Sequence, residues 1–402
     1  MILLDCRLQR WVNNFIILFV ILQLAFSLFL SDYFVVLPSI IKEIFYLPLI
    51  LVFVSASILF PDSIRITPFF YPFVAWLMLF SVIGIFNKAP DTFAIRYYLF
   101  TTFTYVFFQQ FLNKEMAKKI SYILVVYLIG LIIVGFTDFI KNFSDFKSIF
   151  LSELFFDNLK IKRLYLWFNV PNIAGGVLSV LMLFFYFYSK KKWPIILGFP
   201  VLFIVFSRTA LAAFLITVLF YWFLKNRKKP HFILLISVVL IALINFLIIF
   251  SSQDFAFQDR INLLQNIIQG DINYLGKGIG FVTASGRVAN IVVFDNDYLR
   301  FIYEIGIFGL VLYLVFMIAA LHRKFTIEIG CFALNFLIIM YMGEVHSMYP
   351  IGFLFYMCLA ILQYKVINDD DLVSDSKLER RRGIQKGFSV HSENDGKFNS
   401  QL

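Results

Sequence analysis

Arg260, Arg287, Asp295, Asn296, Asp297, Arg300 and Glu304 all fall between Phe257 and Gly309, the one long polar interruption in a chain that is otherwise strongly apolar. Two further arginines, Arg163 and Arg208, stand beside apolar runs upstream. Guanidinium groups hold phosphate through paired, charge-assisted hydrogen bonds, and a carboxylate can take the proton of an attacking hydroxyl. Gathered at a membrane surface, such residues suit a pyrophosphate on a lipid carrier: cations stabilise the leaving group while an acid-base residue activates the acceptor. The acid-base candidates are Asp295, Asp297, Glu304, Glu344 and His346.

The elements that must position these groups are membrane helices. Hydrophobic residues make up 61% of the 402 and charged residues only 15%, well below the quarter of an average soluble domain. Apolar runs of about 17 to 25 residues, without regular turn punctuation, require helices rather than barrel strands. The expected fold is all-α, a polytopic integral membrane protein. Its approximate spans are 11–30, 44–60, 69–86, 93–112, 120–140, 171–188, 194–207, 209–224, 232–250, 299–321, 326–342 and 348–364, about twelve in all. The segment 194–207 is short for a bilayer crossing, so 194–224 reads equally as a shorter pair or a broken helix.

Basic residues orient the layout. Arg7 and Arg10 precede the first apolar run, Trp11–Leu30, which is too long for a signal-peptide core and reads as an uncleaved helix. With that end inside, 22 of the 35 Lys and Arg residues fall on cytoplasmic segments, including Lys190–Lys192 and the cluster at Lys225–Lys229. Both termini are therefore expected in the cytoplasm, with residues 1–365 forming the membrane domain and 366–402 a disordered tail. The net charge of +10 is spread over these short loops, which argues against nucleic acid as a partner. Cys6, Cys331 and Cys358 have neither disulfide nor metal-ligand spacing.

Two outer segments are long, roughly 141–170 and 251–298. Within the second, Ile261, Leu263, Leu264, Ile267 and Ile268 recur at near-helical spacing before Gly270, the pattern of a short amphipathic helix on the membrane surface. Arg163, Arg208 and Arg260 lie outside, against the charge rule. Arg208 stands at a helix boundary between PVLFIVF and TALAAFL, where an arginine costs a few kcal/mol unless it snorkels, pairs with Glu304 or Glu344, or holds an anion. Arg96 and Arg300 fit a structural pairing as readily as a binding role. Asn296 also suits the N-cap of the span that follows, with Asp295 and Asp297 as favourable charges at its N-terminus. His346, in a short outer turn, is open to a structural role. GKGIGF, Gly276–Phe281, lacks the βαβ context of a nucleotide site and reads as a flexible turn that lets backbone approach substrate or membrane.

Three patches carry a family likeness: RLYLWFNVPNIAGG from Arg163 to Gly176, FSRTALAAFLI from Phe206 to Ile216, and the stretch from Asp259 to Gly309 with DRINLLQNIIQ, GKGIGF and DNDYLRFIYEIGIFGL. In order and spacing they resemble the O-antigen ligase and O-antigen polymerase superfamily of bacterial membrane glycosyltransferases. The resemblance implies transfer of an undecaprenyl-pyrophosphate-linked oligosaccharide to an acceptor on the outer face of the cytoplasmic (inner) membrane, with no nucleotide sugar, metal or other cofactor. It implies that Arg163, Arg208 and Arg260 hold the pyrophosphate. Asn172, Arg287, Asn296, Asp297 and Arg300 are further binding candidates, and Asp295, Glu304 and His346 the catalytic ones. Ligases of this superfamily carry His where this chain has Asp295, so the Asp-Asn form is closer to the repeat-unit polymerases, which work with a chain-length regulator. A ligase or oligosaccharyltransferase of the same superfamily is the near alternative. A lipid-linked oligosaccharide flippase is the alternative from another class, disfavoured by scarce mid-span charge and the lack of related halves.

Overall fold

Backbone in hydrocarbon must close its own hydrogen bonds, and the described residues do so entirely as helices and short turns, with no strand among them. The structure, a computed structural model, describes residues 6–28, 46–59, 66–89, 91, 94–141, 171–205, 207–226, 275–281, 297–342 and 350–367. Its helices are α1 Cys6–Leu28, α2 Tyr46–Leu59, α3 Phe70–Phe86, α4 Ile95–Phe111, α5 Lys114–Lys141 and α6 Pro171–Ser189. They continue with α7 Trp193–Val205, α8 Arg208–Asn226, α9 Asp297–His322, α10 Ile327–Met342 and α11 Ile351–Ile367. The segments Lys114–Lys141, Thr209–Asn226 and Asp297–His322 are long and apolar enough to cross a bilayer, and several other helices are shorter and apolar. The expected span 232–250 and the amphipathic helix at 259–269 lie outside the described residues, as do 142–170 and 368–402.

Boundaries shift where side chains outweigh hydropathy. α5 begins at Lys114 rather than near residue 120 because Asn113 caps it, its Oδ1 accepting the Met116 N–H at 2.9 Å. α11 runs to Ile367, two residues into the expected tail. The stretch 194–224 resolves into two helices, α7 and α8. α7 has 13 residues, about 20 Å at the usual rise, and α8 starts where the Ser207 Oγ accepts the Ala210 N–H at 3.3 Å.

α5 shows how the surface of this bundle suits lipid. Tyr122, Val126, Ile129, Ile133, Phe136 and Ile140 form an exposed stripe at alternating three- and four-residue spacing, while Ile120, Leu124, Leu128 and Leu131 are buried on the opposite face. A helix apolar on both faces has no side suited to water.

Contacts fix the relative directions of the helices. Phe73 meets Tyr313 and Phe70 meets Phe316, so α3 and α9 are antiparallel. Tyr98 packs on Phe301 and Tyr105 on Phe316, which makes α4 parallel to α9. α11 runs the same way, with Tyr356 bonded to Tyr313 and Gln363 to the Ala320 carbonyl. One end of the bundle thus collects the C-terminus of α3, the starts of α4, α9 and α11, and residues 275–281. The other collects Thr67, Gln109, Lys190, Glu328 and Lys365.

α9 does not run straight. Gly306 has φ 75° and ψ 170°, a conformation that breaks the helical ladder and is essentially restricted to glycine. The carbonyls just before the kink find new donors: the Lys277 N–H bonds Tyr303 O at 2.8 Å, the Gly278 N–H bonds Glu304 O at 2.9 Å, and the Trp76 Nε1–H bonds Ile305 O at 2.9 Å. Replacing Gly306 with Ala should cost about 1–3 kcal/mol, seen as a lower melting temperature of the purified protein; unchanged melting would mean that α9 straightens without penalty.

Candidate functional site

Asp297, Arg300 and Glu304 are spaced three and four apart, so they share one face of α9, and all three are fully buried. Glu304 is the centre. Its Oε1 accepts the Gly280 N–H at 2.9 Å, and its Oε2 accepts the Tyr98 hydroxyl and the Arg300 Nε–H, the latter at 3.2 Å. The Arg300 Nε–H also reaches the Tyr98 oxygen at 3.1 Å, and the guanidinium carbon lies 5.6 Å from the Tyr97 ring centroid and 5.4 Å from that of Tyr98. A carboxylate whose two oxygens already accept bonds from three elements clamps them together. In this arrangement Glu304 binds α4, α9 and the glycine segment to one another.

That segment, GKGIGF, closes on helices. Gly276, Gly278 and Gly280 all have positive φ. A Cβ at Gly276 would come within 2.5 Å of the Gly306 nitrogen, and one at Gly278 within 2.5 Å of the Gly84 Cα. The turn read as flexible is therefore pinned: its N–H groups bond Tyr303, Glu304 and Phe80 carbonyls, and its Gly280 carbonyl accepts the Asp91 N–H at 3.2 Å. Asn87 Nδ2–H adds a bond to Lys277 O at 2.7 Å. The glycines permit close backbone approach, as their spacing implied, but what approaches is α3 and the kink of α9.

Around this knot lie partly exposed charges. Arg96 pairs with Asp91 at 3.6 Å and lies over the Tyr97 ring at 4.9 Å. The Lys277 Nζ reaches the Tyr303 hydroxyl at 3.3 Å and lies 4.6 Å from the Phe281 ring centroid. Among the described residues no group of His, Cys, Asp and Glu could hold a metal ion.

Asn172 and Arg208 enter from helix starts. Asn172 is the second residue of α6 and Arg208 the first of α8. These two starts touch, since a Cβ at Gly175 would come within 2.5 Å of the Ser207 Cβ. A Cβ at Gly176 would likewise meet Ile351 Cδ1 at 2.6 Å, which brings in the start of α11. α6, α8 and α11 therefore begin at the end of the bundle where α9 begins. Arg163, Arg260, Arg287, Asp295, Asn296 and His346 lie outside the described residues.

Sequence reasoning missed Tyr98, Trp76 and Lys277. Tyr98 is one of 20 tyrosines, and no local signal separates it from the rest. Only its pairing across more than two hundred residues reveals it. No protein-family model matches this chain, and a comparison with curated proteins finds no match.

Removing one partner of a buried ion pair leaves the other charge uncompensated, at a cost of about 3–5 kcal/mol. Glu304→Ala and Arg300→Ala should each lose most of the monodisperse protein in size-exclusion of detergent extracts. In a double-mutant cycle with Tyr98→Phe, Glu304→Gln should show coupling of about 0.5–3 kcal/mol; additive losses would show that the three do not act as a unit.

Proposed function

We propose that this chain is a bacterial membrane glycosyltransferase that joins undecaprenyl-pyrophosphate-linked oligosaccharide repeat units on the outer face of the cytoplasmic membrane, a repeat-unit polymerase of O-antigen or capsular polysaccharide synthesis. The observation that carries the reading is the meeting of helix starts at one end of the bundle. Asn172 and Arg208 belong to the first and second resembling patches, and Asp297, Arg300 and Glu304 to the third. Patches separated in sequence share an end of the structure, as a common substrate would require. The opposite end carries Lys190 and Lys365, with Lys191, Lys192, Arg323 and Lys324 adjoining, and by the positive-inside rule it faces the cytoplasm.

A helix N-terminus offers unpaired N–H groups and a positive dipole end, which makes the starts of α6 and α8 natural anion sites, strengthened by Arg208. In the proposed reaction Arg163, Arg208 and Arg260 bind the donor's pyrophosphate. The acceptor hydroxyl oxygen attacks the anomeric carbon, the bond from that carbon to the pyrophosphate oxygen breaks, and polyprenyl pyrophosphate leaves with the electron pair. Asp295 takes the hydroxyl proton. Glu304, fully bonded, supports the α9 start from beneath rather than acting as the base.

Complementation of a deletion strain tests this. Arg208→Ala and Arg260→Ala should abolish the polysaccharide ladder, and Arg208→Lys should restore little of it, because an ammonium cannot make the paired contact of a guanidinium. Wild-type ladders from both alanine variants would remove the pyrophosphate assignment. The deletion itself separates the classes: loss of a polymerase leaves single repeat units on the surface, loss of a ligase leaves polymer on its carrier, and loss of a flippase leaves units inside. Asp295→Asn should lower the polymerisation rate by at least ~10²-fold if it is the base, measured with purified donor in proteoliposomes; a near-normal rate would transfer that role elsewhere.

A further inference from the structure

At the end of the bundle opposite the candidate site, α6 and α7 are joined by a short basic turn. α6 stops at Ser189 and α7 starts at Trp193, so Lys190, Lys191 and Lys192 make the whole connection, and all three are exposed. The backbone of the turn is fixed. Lys190 takes a φ of 56°, the Lys191 N–H bonds the Ser189 Oγ at 3.4 Å, and the Lys192 carbonyl accepts the N–H groups of Ile195 and Ile196 at 3.1 Å each. Lys192 therefore stands at the start of α7, whose first turn holds no acidic residue. A helix N-terminus attracts negative charge, and here three ammonium groups are added to it. Glu328 answers part of this charge through Lys190, at 2.8 Å. Among the described residues no carboxylate pairs with Lys191 or Lys192. The positive-inside rule accounts for lysines on this face, but not for three of them gathered at one helix start.

α11 ends beside that turn. The Lys365 ammonium donates to the Tyr188 carbonyl and lies 4.9 Å from the centroid of the Tyr188 ring, two residues before Lys190. Beyond Ile367 the sequence continues with Asn368 and then three consecutive aspartates, Asp369, Asp370 and Asp371, which lie outside the described residues. The acidic run thus begins four residues after a side chain that is already anchored two residues before the lysines. An extended chain covers about 3.3–3.6 Å per residue, so Asp371 can reach roughly 14 Å from Ile367, while Lys190 is at most roughly 7 Å along the chain from Tyr188.

We infer that Asp369–Asp371 dock on the Lys190–Lys192 turn and the start of α7, forming a strap that ties α11 to α6 and α7 at this end of the bundle. Charge complementarity selects the occupant: three carboxylates meet three ammonium groups, one of which is shared with Glu328. Exposed ion pairs are individually weak, but these partners belong to one chain. A short tether holds them at an effective concentration on the order of millimolar, so a contact too weak to join separate molecules persists within one. Because the contact is exposed, salt governs it: the screening length falls from about 10 Å at 0.1 M to about 3 Å at 1 M. The strap stands independently of the polymerase reading, since it involves none of the residues at the candidate site.

The test is zero-length carbodiimide coupling of the purified full-length protein, which joins a carboxyl directly to a neighbouring amine, followed by proteolysis and mass spectrometry. Peptides carrying residues 369–371 should be linked to peptides carrying 190–192, with roughly fivefold less product in about 1 M salt than in about 0.1 M. The exposed pair Lys119–Glu115, at 2.6 Å, is touched by no substitution and reports that the fold is intact. The triple variant Asp369→Asn/Asp370→Asn/Asp371→Asn should abolish the link. Lys191→Gln/Lys192→Gln should lower it by roughly fivefold, since Lys190 is shared with Glu328. Absence of the link, or links from 369–371 spread evenly over Lys225, Lys228, Lys229 and the turn, would overturn the inference. So would a link that survives in phosphatidylcholine nanodiscs but disappears in phosphatidylglycerol nanodiscs, which would assign the turn to anionic headgroups instead.

Discussion

A helix that bends inside hydrocarbon releases carbonyls that no water can satisfy. α9 bends at Gly306, and the arrangement around it follows from where the freed carbonyls of Tyr303, Glu304 and Ile305 find donors. Two are backbone N–H groups of the glycine segment and the third is the indole of Trp76. Because these donors come from different parts of the chain, satisfying the kink also fastens the segment at 275–281 and α3 to the start of α9.

The side chains beneath the kink reinforce the same junction. Glu304 accepts from Gly280, Tyr98 and Arg300, so α4 is bound to the same place. A buried ion pair contributes little net stability once desolvation is counted, whereas losing one partner strands a charge in an apolar interior. The backbone contacts are equally unforgiving. A Cβ at Gly84 would strike the Ile279 carbonyl oxygen, and one at Gly278 the Gly84 backbone. One end of the bundle is thereby tied together at several points.

Much of the architecture was legible in the sequence. Hydrophobic run length yielded helices at nearly every described span, because in lipid the backbone leaves few alternatives. The break near Arg208 was visible too, since an arginine fits a boundary between apolar runs better than mid-span. Glu304 and the glycines were less legible. Their residue types do not name their partners, and only the tertiary structure shows Glu304 bonded to Gly280, Tyr98 and Arg300 and the glycine segment bonded to α3 and α9. Tyr98 was illegible among so many aromatics.

Composition alone pointed to apolar helices of the kind that cross a membrane, and the described residues are helical with no strand among them, because the length of an uncharged run is a one-dimensional property, readable residue by residue. Which of the charged residues bond to one another inside the bundle was decided only in three dimensions. Arg300 and Glu304 carry the same types as a binding cation and a catalytic carboxylate. Their burial against Tyr98 and the Gly280 backbone depends on contacts between distant segments, and pairing over that distance is set by packing, which no local pattern records.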